Sequence, residues 1–432
     1  MKNQEQQDAK PWGIGQRIAF RFIFVYFVLK MALWSFIPVL GSYLYKFYYY
    51  PSFFVQNNIL KWHDPPRWEH PPTGSGDTLD DWMLNVAYLS VSLLITLIWT
   101  ALDRRRQSYR QLNTVLKIGL RYYLAMIMFS YGISKLFVLQ MPYPSLAQFS
   151  TPLGEFTPMR FTWMYLGYSA PYQFFGGFME VLGGLLIVFR RTLLLGLFVL
   201  LGVMGNVFLL NLFYGVPVKL FSFFLILIIL YLLLEYGKRL IDFLSNRPTE
   251  PVEIPPYFDK PWQKYLRIGL KVAFLGYTFA YGFYQDYDYY KSGKERPSLA
   301  IEGAFDVDSF KRNGEELLSP TDTTRWNRIV VSPRRSAGSG YGHITSGTSN
   351  FRKVNFSLDS TMNLTIKPSF DTTAIFEGRV ESRGDHQFVW QGISGADSLE
   401  LVLRRNERNF RLDKQKFMWV MEQKDFLLIM AI

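Results

Sequence analysis

The chain has 432 residues, of which 49% are hydrophobic and 18% aromatic, and carries a formal net charge of +12. It has no cysteine, which excludes disulfides, thiolate catalysis and Cys-ligated zinc or iron–sulfur centres. None of its four histidines (His63, His70, His343 and His386) falls in an apolar run, so an intramembrane bis-His haem is excluded as well.

The long apolar runs lie in residues 1–290, whereas 291–432 has the mixed polar composition of a soluble domain. The division predicts a transmembrane helical bundle over 1–290 and a separate domain over 291–432. Runs at 18–40, 83–102, 116–138, 172–189, 192–212, 218–236 and 266–285 each approach the length that crosses a hydrocarbon core of about 30 Å. They predict about seven transmembrane helices. The first run contains Lys30 and Pro38 and is too long for a cleaved signal peptide, so it reads as a permanent helix. The seventh is amphipathic, with Tyr277, Tyr281, Tyr284 and Gln285. After the first run, Tyr48-Tyr49-Tyr50-Pro51 and the Pro-rich stretch from Trp62 to Asp77 read as an interfacial aromatic belt with stiff turns, or else as a lid.

Lys and Arg alternate strongly in number between the two sides of these spans, 19 on one side against five on the other before the terminal domain. The positive-inside rule then predicts a cytoplasmic N-terminus and, with seven spans, a C-terminal domain outside the cytoplasm. Because the basic residues form short clusters beside apolar runs, the predicted partner is the lipid bilayer and not nucleic acid.

Three ionisable side chains, Lys30, Lys135 and Glu180, sit inside predicted spans, where hydrocarbon makes an unpaired charge costly. A rise of ~1.5 Å per residue places them and Asn206 roughly 14 to 22 Å above the basic boundary. Glu180 shares a small-residue face with Gly176 and Gly184, flanked by Gly177 and Gly183, which lets a neighbouring helix approach closely. Tyr131 and Lys135 share a face at i, i+4, as do Gly202 and Asn206. These spacings predict a Glu180–Lys135 contact, with Tyr131 and Asn206 completing a ligand-binding group. The alternatives are a structural ion pair that fixes helix register, proton transfer, and for Lys30 a snorkelling stem. A second cluster is expected at the outer ends of the spans: Asp77, Gln140, Asn211, Tyr214 and Lys219. There the Gly-rich loop ending in Asp77 reads as a helix-entry turn or as an anion-binding loop.

From Pro297 the hydrophobic period changes to two: Val354, Phe356 and Leu358; Leu364 and Ile366; Ala374, Phe376, Gly378 and Val380; Phe388 and Trp390; Leu401 and Leu403; Phe417 and Trp419. Turn-prone stretches separate these runs, so an all-β domain is predicted, either a sandwich or a small barrel filled by its own side chains. Gly303-Ala304-Phe305-Asp306-Val307, followed by Ser309-Phe310 and Asn313-Gly314, resembles the first strand of a lipocalin-like barrel.

Ser130-Tyr131-Gly132-Ile133-Ser134-Lys135-Leu136-Phe137 with Gln140-Met141-Pro142, then Glu180-Val181-Leu182-Gly183-Gly184 and Phe189-Arg190-Arg191-Thr192, resembles the DoxX-like family of polytopic bacterial membrane proteins. Asn206-Val207, Asn211, Tyr214 and Val216-Pro217-Val218-Lys219 extend the likeness over residues 70–236. The resemblance implies a multi-pass protein of the bacterial inner membrane, associated with quinone as a possible cofactor and with redox or envelope protein partners. It also implies a distant similarity to the membrane domain of vitamin K-dependent carboxylases, although no carboxylase catalytic motif is present. Three functions remain open: a bundle binding an apolar, polar-headed ligand (quinone or lipid) as a complex subunit; a non-catalytic scaffold whose β domain recruits an envelope partner; and an intramembrane carboxylase- or oxidoreductase-like enzyme.

Overall fold

The apolar runs fold as helices and the period-two stretch as strands in a computed structural model, which describes residues 11–31, 46, 49–62, 76–249, 261–294, 298–348, 350–369, 371–384, 386–406, 410 and 412. In chain order the helices are α1 (Ile14–Lys30), α2 (Leu79–Leu102), α3 (Arg110–Leu136), α4 (Leu146–Phe149), α5 (Pro158–Tyr168), α6 (Ala170–Val188), α7 (Leu193–Phe213), α8 (Lys219–Leu233), α9 (Gly237–Leu244) and α10 (Pro261–Lys294). Contacts divide the chain into two units: Met1–Met141 with Pro158–Tyr287, and Pro142–Thr157 with Asp288–Ile432. A single boundary at residue 290 is too simple: 142–157, expected among the helices, belongs with the strands.

Among the described residues of the first unit, α2, α6, α7 and the stretch Lys219–Leu244 are long and apolar enough to cross a membrane. Of the remaining predicted spans, α1 has 17 described residues, and 32–40, which would continue it, lies outside the described residues, as does 63–75 of the aromatic loop. Helix α3 has 27 residues but carries Arg110, Lys117, Arg121 and Lys135, while α10 is 34 residues rich in tyrosine and charge.

Local sequence sets the helix starts. Thr78 caps α2 in a capping box with Asp81, and Asp80 and Asp81 stand in its first turn beside the positive end of the helix dipole. Ser169 caps α6, with a proline in the first turn, where a missing N–H costs nothing. The core is built from Leu120, Leu124, Ala125 and Ile133 of α3, Ile187 of α6, Leu197 and Leu200 of α7, and Ile228 and Ile229 of α8, all fully buried.

Arg21 ties α1 to α2 and α3. Its guanidinium donates to the Tyr109 hydroxyl at 2.9 and 2.7 Å, to Thr100 Oγ1 at 2.8 Å and to the Asp103 carbonyl at 2.7 Å, and Tyr109 in turn donates to the Asp103 carboxylate at 2.8 Å. Arg21 and Arg121 are among the 19 basic residues assigned to the cytoplasmic side by the positive-inside rule. Both are buried and hydrogen-bonded, so their positions are set by packing as well as by topology.

The second unit is a closed antiparallel barrel. Its strands are β1 (Gly303–Arg312), β2 (Glu315–Glu316), β3 (Trp326–Pro333), β4 (Ser339–Ser346), β5 (Asn350–Leu358), β6 (Asn363–Pro368), β7 (Phe376–Ser382), β8 (Gln387–Ser394) and β9 (Asp397–Arg405). Neighbours pair in sequence order from β3 to β9, and β1 pairs with both β3 and β9, which closes eight strands and leaves the two-residue β2 as a flap on β1. Of the two predicted options, sandwich and barrel, the barrel is the one formed. Phe305, Phe310, Phe356, Phe376 and Trp390 are fully buried and converge with the inward Val, Ile and Leu residues into one core, so side chains occupy the interior.

Strands β3 and β4 escaped the period-two reading. In β3, Ile329, Val330 and Val331 are all fully buried, because the inward pair faces the core while Val330 packs outward against Ala147 of α4. The backbone N–H of Ala147 donates to Ser332 Oγ at 2.9 Å, and Lys353 Nζ donates to the Glu155 carbonyl at 3.0 Å, fastening the 142–157 segment to the strands. A strand covered on both faces has no polar alternation to detect. The Phe417 and Trp419 alternation lies outside the described residues.

Candidate functional site

Helices α3 and α6 approach until backbone meets backbone. A Cβ on Gly132 would stand 2.7 Å from Val181 Cγ2 and 2.9 Å from the Gly177 carbonyl; one on Gly177 would stand 2.6 Å from the Gly132 carbonyl and 2.7 Å from Lys135 Cβ. Glycine at both positions is therefore required for this crossing. One helical turn along, Lys135 Nζ meets Glu180 Oε1 at 2.5 Å, with Lys135 only 9% and Glu180 only 2% exposed. The contact expected from spacing is present, and its small-residue face is Gly177, Glu180 and Gly184. Gly176 has open space around it.

Beside the pair lies a cavity of about 340 Å³. Tyr131 and Lys135 of α3, Glu180 of α6, Asn211 of α7, Ser222 of α8 and Gln140 contribute its polar wall. Met128, Leu166, Met204, Phe221 and Leu225 contribute the apolar remainder. Lys135 Nζ lies 5.9 Å from the centre of the Tyr131 ring. Asn211 Nδ2 donates to Ser222 Oγ at 3.0 Å, and Ser222 donates to the Val218 carbonyl at 2.8 Å. Two acceptors are left over: Glu180 Oε2 and Gln140 Oε1 are buried with no hydrogen-bond partner. Buried acceptors of this kind are normally satisfied by a protein group, a water or a ligand.

Asn206 is not part of this group. Helical rise puts it at a suitable depth, but its rotation is wrong: the residue is exposed, and it sits two positions, or about 200°, round α7 from buried Met204. The asparagine that reaches the cavity is Asn211, seven positions from Met204 and so on the same face as Leu197, Leu200 and Met204. The predicted outer cluster accordingly divides. Gln140 and Asn211 join the cavity, and Tyr214 is 40% exposed.

Asp77 and Lys219 form a separate pair. The Asp77 carboxylate accepts from the backbone N–H groups of Lys219 at 2.5 Å and Leu220 at 2.9 Å, with Lys219 Nζ at 3.5 Å. Asp77 thus caps the start of α8 across the bundle, while Thr78 caps the helix that follows it in sequence. Its backbone is left-handed (φ +64), a conformation that aspartate tolerates better than most residues. The helix-entry turn expected of this loop is present at Asp77 and Thr78, which lead into α2, and Asp77 in addition caps α8; residues 72–75 of the Gly-rich loop lie outside the described residues.

Lys30 belongs to neither group. Its ammonium donates to Asn85 Oδ1 at 2.8 Å and lies over the Tyr88 and Phe224 rings at 5.8 and 6.0 Å. Asn85 was missed because a lone asparagine in α2 has no spacing signal of its own.

No family model matches the chain, and no solved structure matches it. A protein of Bacillus subtilis (strain 168) described as "Uncharacterized protein YwoB" is 26% identical over 143 residues, which cover 31% of this chain and 85% of that protein.

Proposed function

We propose that the helical unit is the membrane bundle of a DoxX-like protein and holds an apolar molecule with a polar head, a quinone or a lipid, in the cavity beside Lys135 and Glu180. The observation that carries this reading is the pairing of a cavity of about 340 Å³ with a buried carboxylate oxygen, Glu180 Oε2, that has no partner. That volume falls within the ~300–1,000 Å³ typical of small-molecule sites. Lys135 offers a donor to a quinone or lipid-ester carbonyl, and Glu180 Oε2 and Gln140 Oε1 offer acceptors to the hydroxyl of a quinol or a lipid head. In this reading the chain crosses the membrane seven times, with its N-terminus in the cytoplasm and the barrel outside it. It serves there as a subunit of a redox or envelope complex.

The test is native mass spectrometry of the full chain purified in mild detergent, alongside the Lys135→Ala/Glu180→Ala double variant. A co-purified quinone or lipid should be present in the wild type and depleted in the variant. Equal ligand content in the two would refute the assignment. The 2.5 Å ion pair set beside the glycine crossing favours a second reading, in which the pair only fixes helix register and the barrel recruits an envelope partner. Under that reading neither protein carries a ligand in the cavity.

A further inference from the structure

A second cavity, of about 390 Å³, lies between α3, the residues just past α6 and the first turns of α10, and α3 is the one helix that lines both cavities. Four cationic side chains line it: Arg121 of α3, Arg190 just past α6, and Arg267 and Lys271 of α10. No Asp or Glu is among the described residues lining it. Its remaining wall is apolar, and Trp262, Leu266 and Leu270 are exposed at 59%, 51% and 61%, so the cavity opens along the outer face of α10.

The end of α6 accounts for part of this charge. Arg121 Nε and Nη2 donate to the Ile187 carbonyl at 3.0 and 2.9 Å, Arg121 Nη2 also reaches the Val188 carbonyl at 3.1 Å, and Lys271 Nζ reaches the Val188 carbonyl at 3.2 Å. Two cations on the last carbonyls suffice to complement the partial negative charge of a helix C-terminus. Arg267 lies one turn before Lys271 on the same face of α10 and so adds a cation to this space beyond the two that complement the helix end; Arg190 lines the same space.

We propose that this cavity is a binding site for an anionic phospholipid. Its phosphate would lie among Arg190, Arg267 and Lys271, and its acyl chains along Leu266, Leu270 and Phe274. Guanidinium groups match phosphate geometry, and basic pockets between membrane helices suit anionic headgroups. The apolar, outward-open wall distinguishes a lipid from a free anion, which would gain nothing from Trp262 or Leu270. The site stands independently of the ligand assigned to the Lys135–Glu180 cavity.

The experiment uses the full chain, delipidated in detergent and titrated with phosphatidylglycerol, phosphatidylcholine or inorganic phosphate, with binding read by native mass spectrometry. The Arg190→Gln/Arg267→Gln variant keeps the apolar wall and leaves Arg121 and Lys271 on the α6 carbonyls. Wild type should prefer phosphatidylglycerol over phosphatidylcholine by about tenfold or more, and the variant should lose about tenfold for each charge-assisted bond removed. An unchanged melting temperature of the lipid-free variant would establish that its fold is intact. If that temperature falls, single Arg190→Lys and Arg267→Lys variants, which retain charge, should keep the preference for phosphatidylglycerol. Equal binding of the two lipids, inorganic phosphate displacing phosphatidylglycerol at equal concentration, or undiminished preference in the double Gln variant would overturn the proposal.

Discussion

Lys135 and Glu180 show how a charge can be kept inside an apolar bundle. Each is buried, each is the other's partner at 2.5 Å, and together they avoid the cost that either alone would incur. Replacing Lys135 with Met strands the carboxylate and should destabilise the bundle by roughly 3–5 kcal/mol. Adding Glu180→Leu removes the stranded charge and should recover most of that loss; thermal unfolding in detergent measures both. His343 shows burial acting the other way. It is 2% exposed in β4, packs against Phe351 with the rings tilted and their centroids 4.5 Å apart, and has Arg328 and Lys353 nearby, so burial and then these cations hold its imidazole down to about 4. The unfolded chain therefore takes up this proton first as pH falls. Stability contributed by neutral His343 is complete above pH ~6.5 and declines down to pH ~4, by on the order of 3 kcal/mol. The full chain should show this decline in tryptophan fluorescence melts, and His343→Leu should flatten it between those pH values.

At the scale of elements, the α3–α6 crossing decides whether the site exists. The sequence displayed the glycines and the charges but left the rotation of each helix undetermined by a few tens of degrees. Gly177 and Glu180 face α3, Gly176 does not, and Asn206 faces away from the core. A side chain at Gly177 meets the Gly132 carbonyl and Lys135 Cβ, neither of which can yield without moving a helix. Gly177→Leu should cost about 1–3 kcal/mol by overpacking. It should also lower retention of any ligand held beside Lys135, whereas Gly176→Leu should be close to neutral on both measures. Strand β3 was hidden for a related reason, since α4 covers its outer face and erases the alternation by which a half-exposed strand is recognised.

For the whole molecule, the absence of cysteine allows a direct test of topology. Single cysteines at the exposed Ser398 of the barrel and at exposed Lys238 of α9 should react oppositely with a membrane-impermeant maleimide in sealed right-side-out vesicles. The seven-span arrangement predicts labelling at Ser398→Cys and protection at Lys238→Cys; labelling at both, or the reverse, rejects it.

The division of labour between sequence and tertiary structure follows from physics. Apolar length, period-two alternation and glycine spacing are local quantities, so the helical runs, most strands of the barrel and the Lys135–Glu180 encounter were legible in the chain. Other features are set only by the tertiary structure. Asp77 caps a helix 142 residues away, Asn211 displaces Asn206, β1 closes onto β9, and residues 142–157 leave the bundle to cover β3. Each depends on the rotation or long-range placement of an element, which side-chain packing fixes and no local pattern encodes.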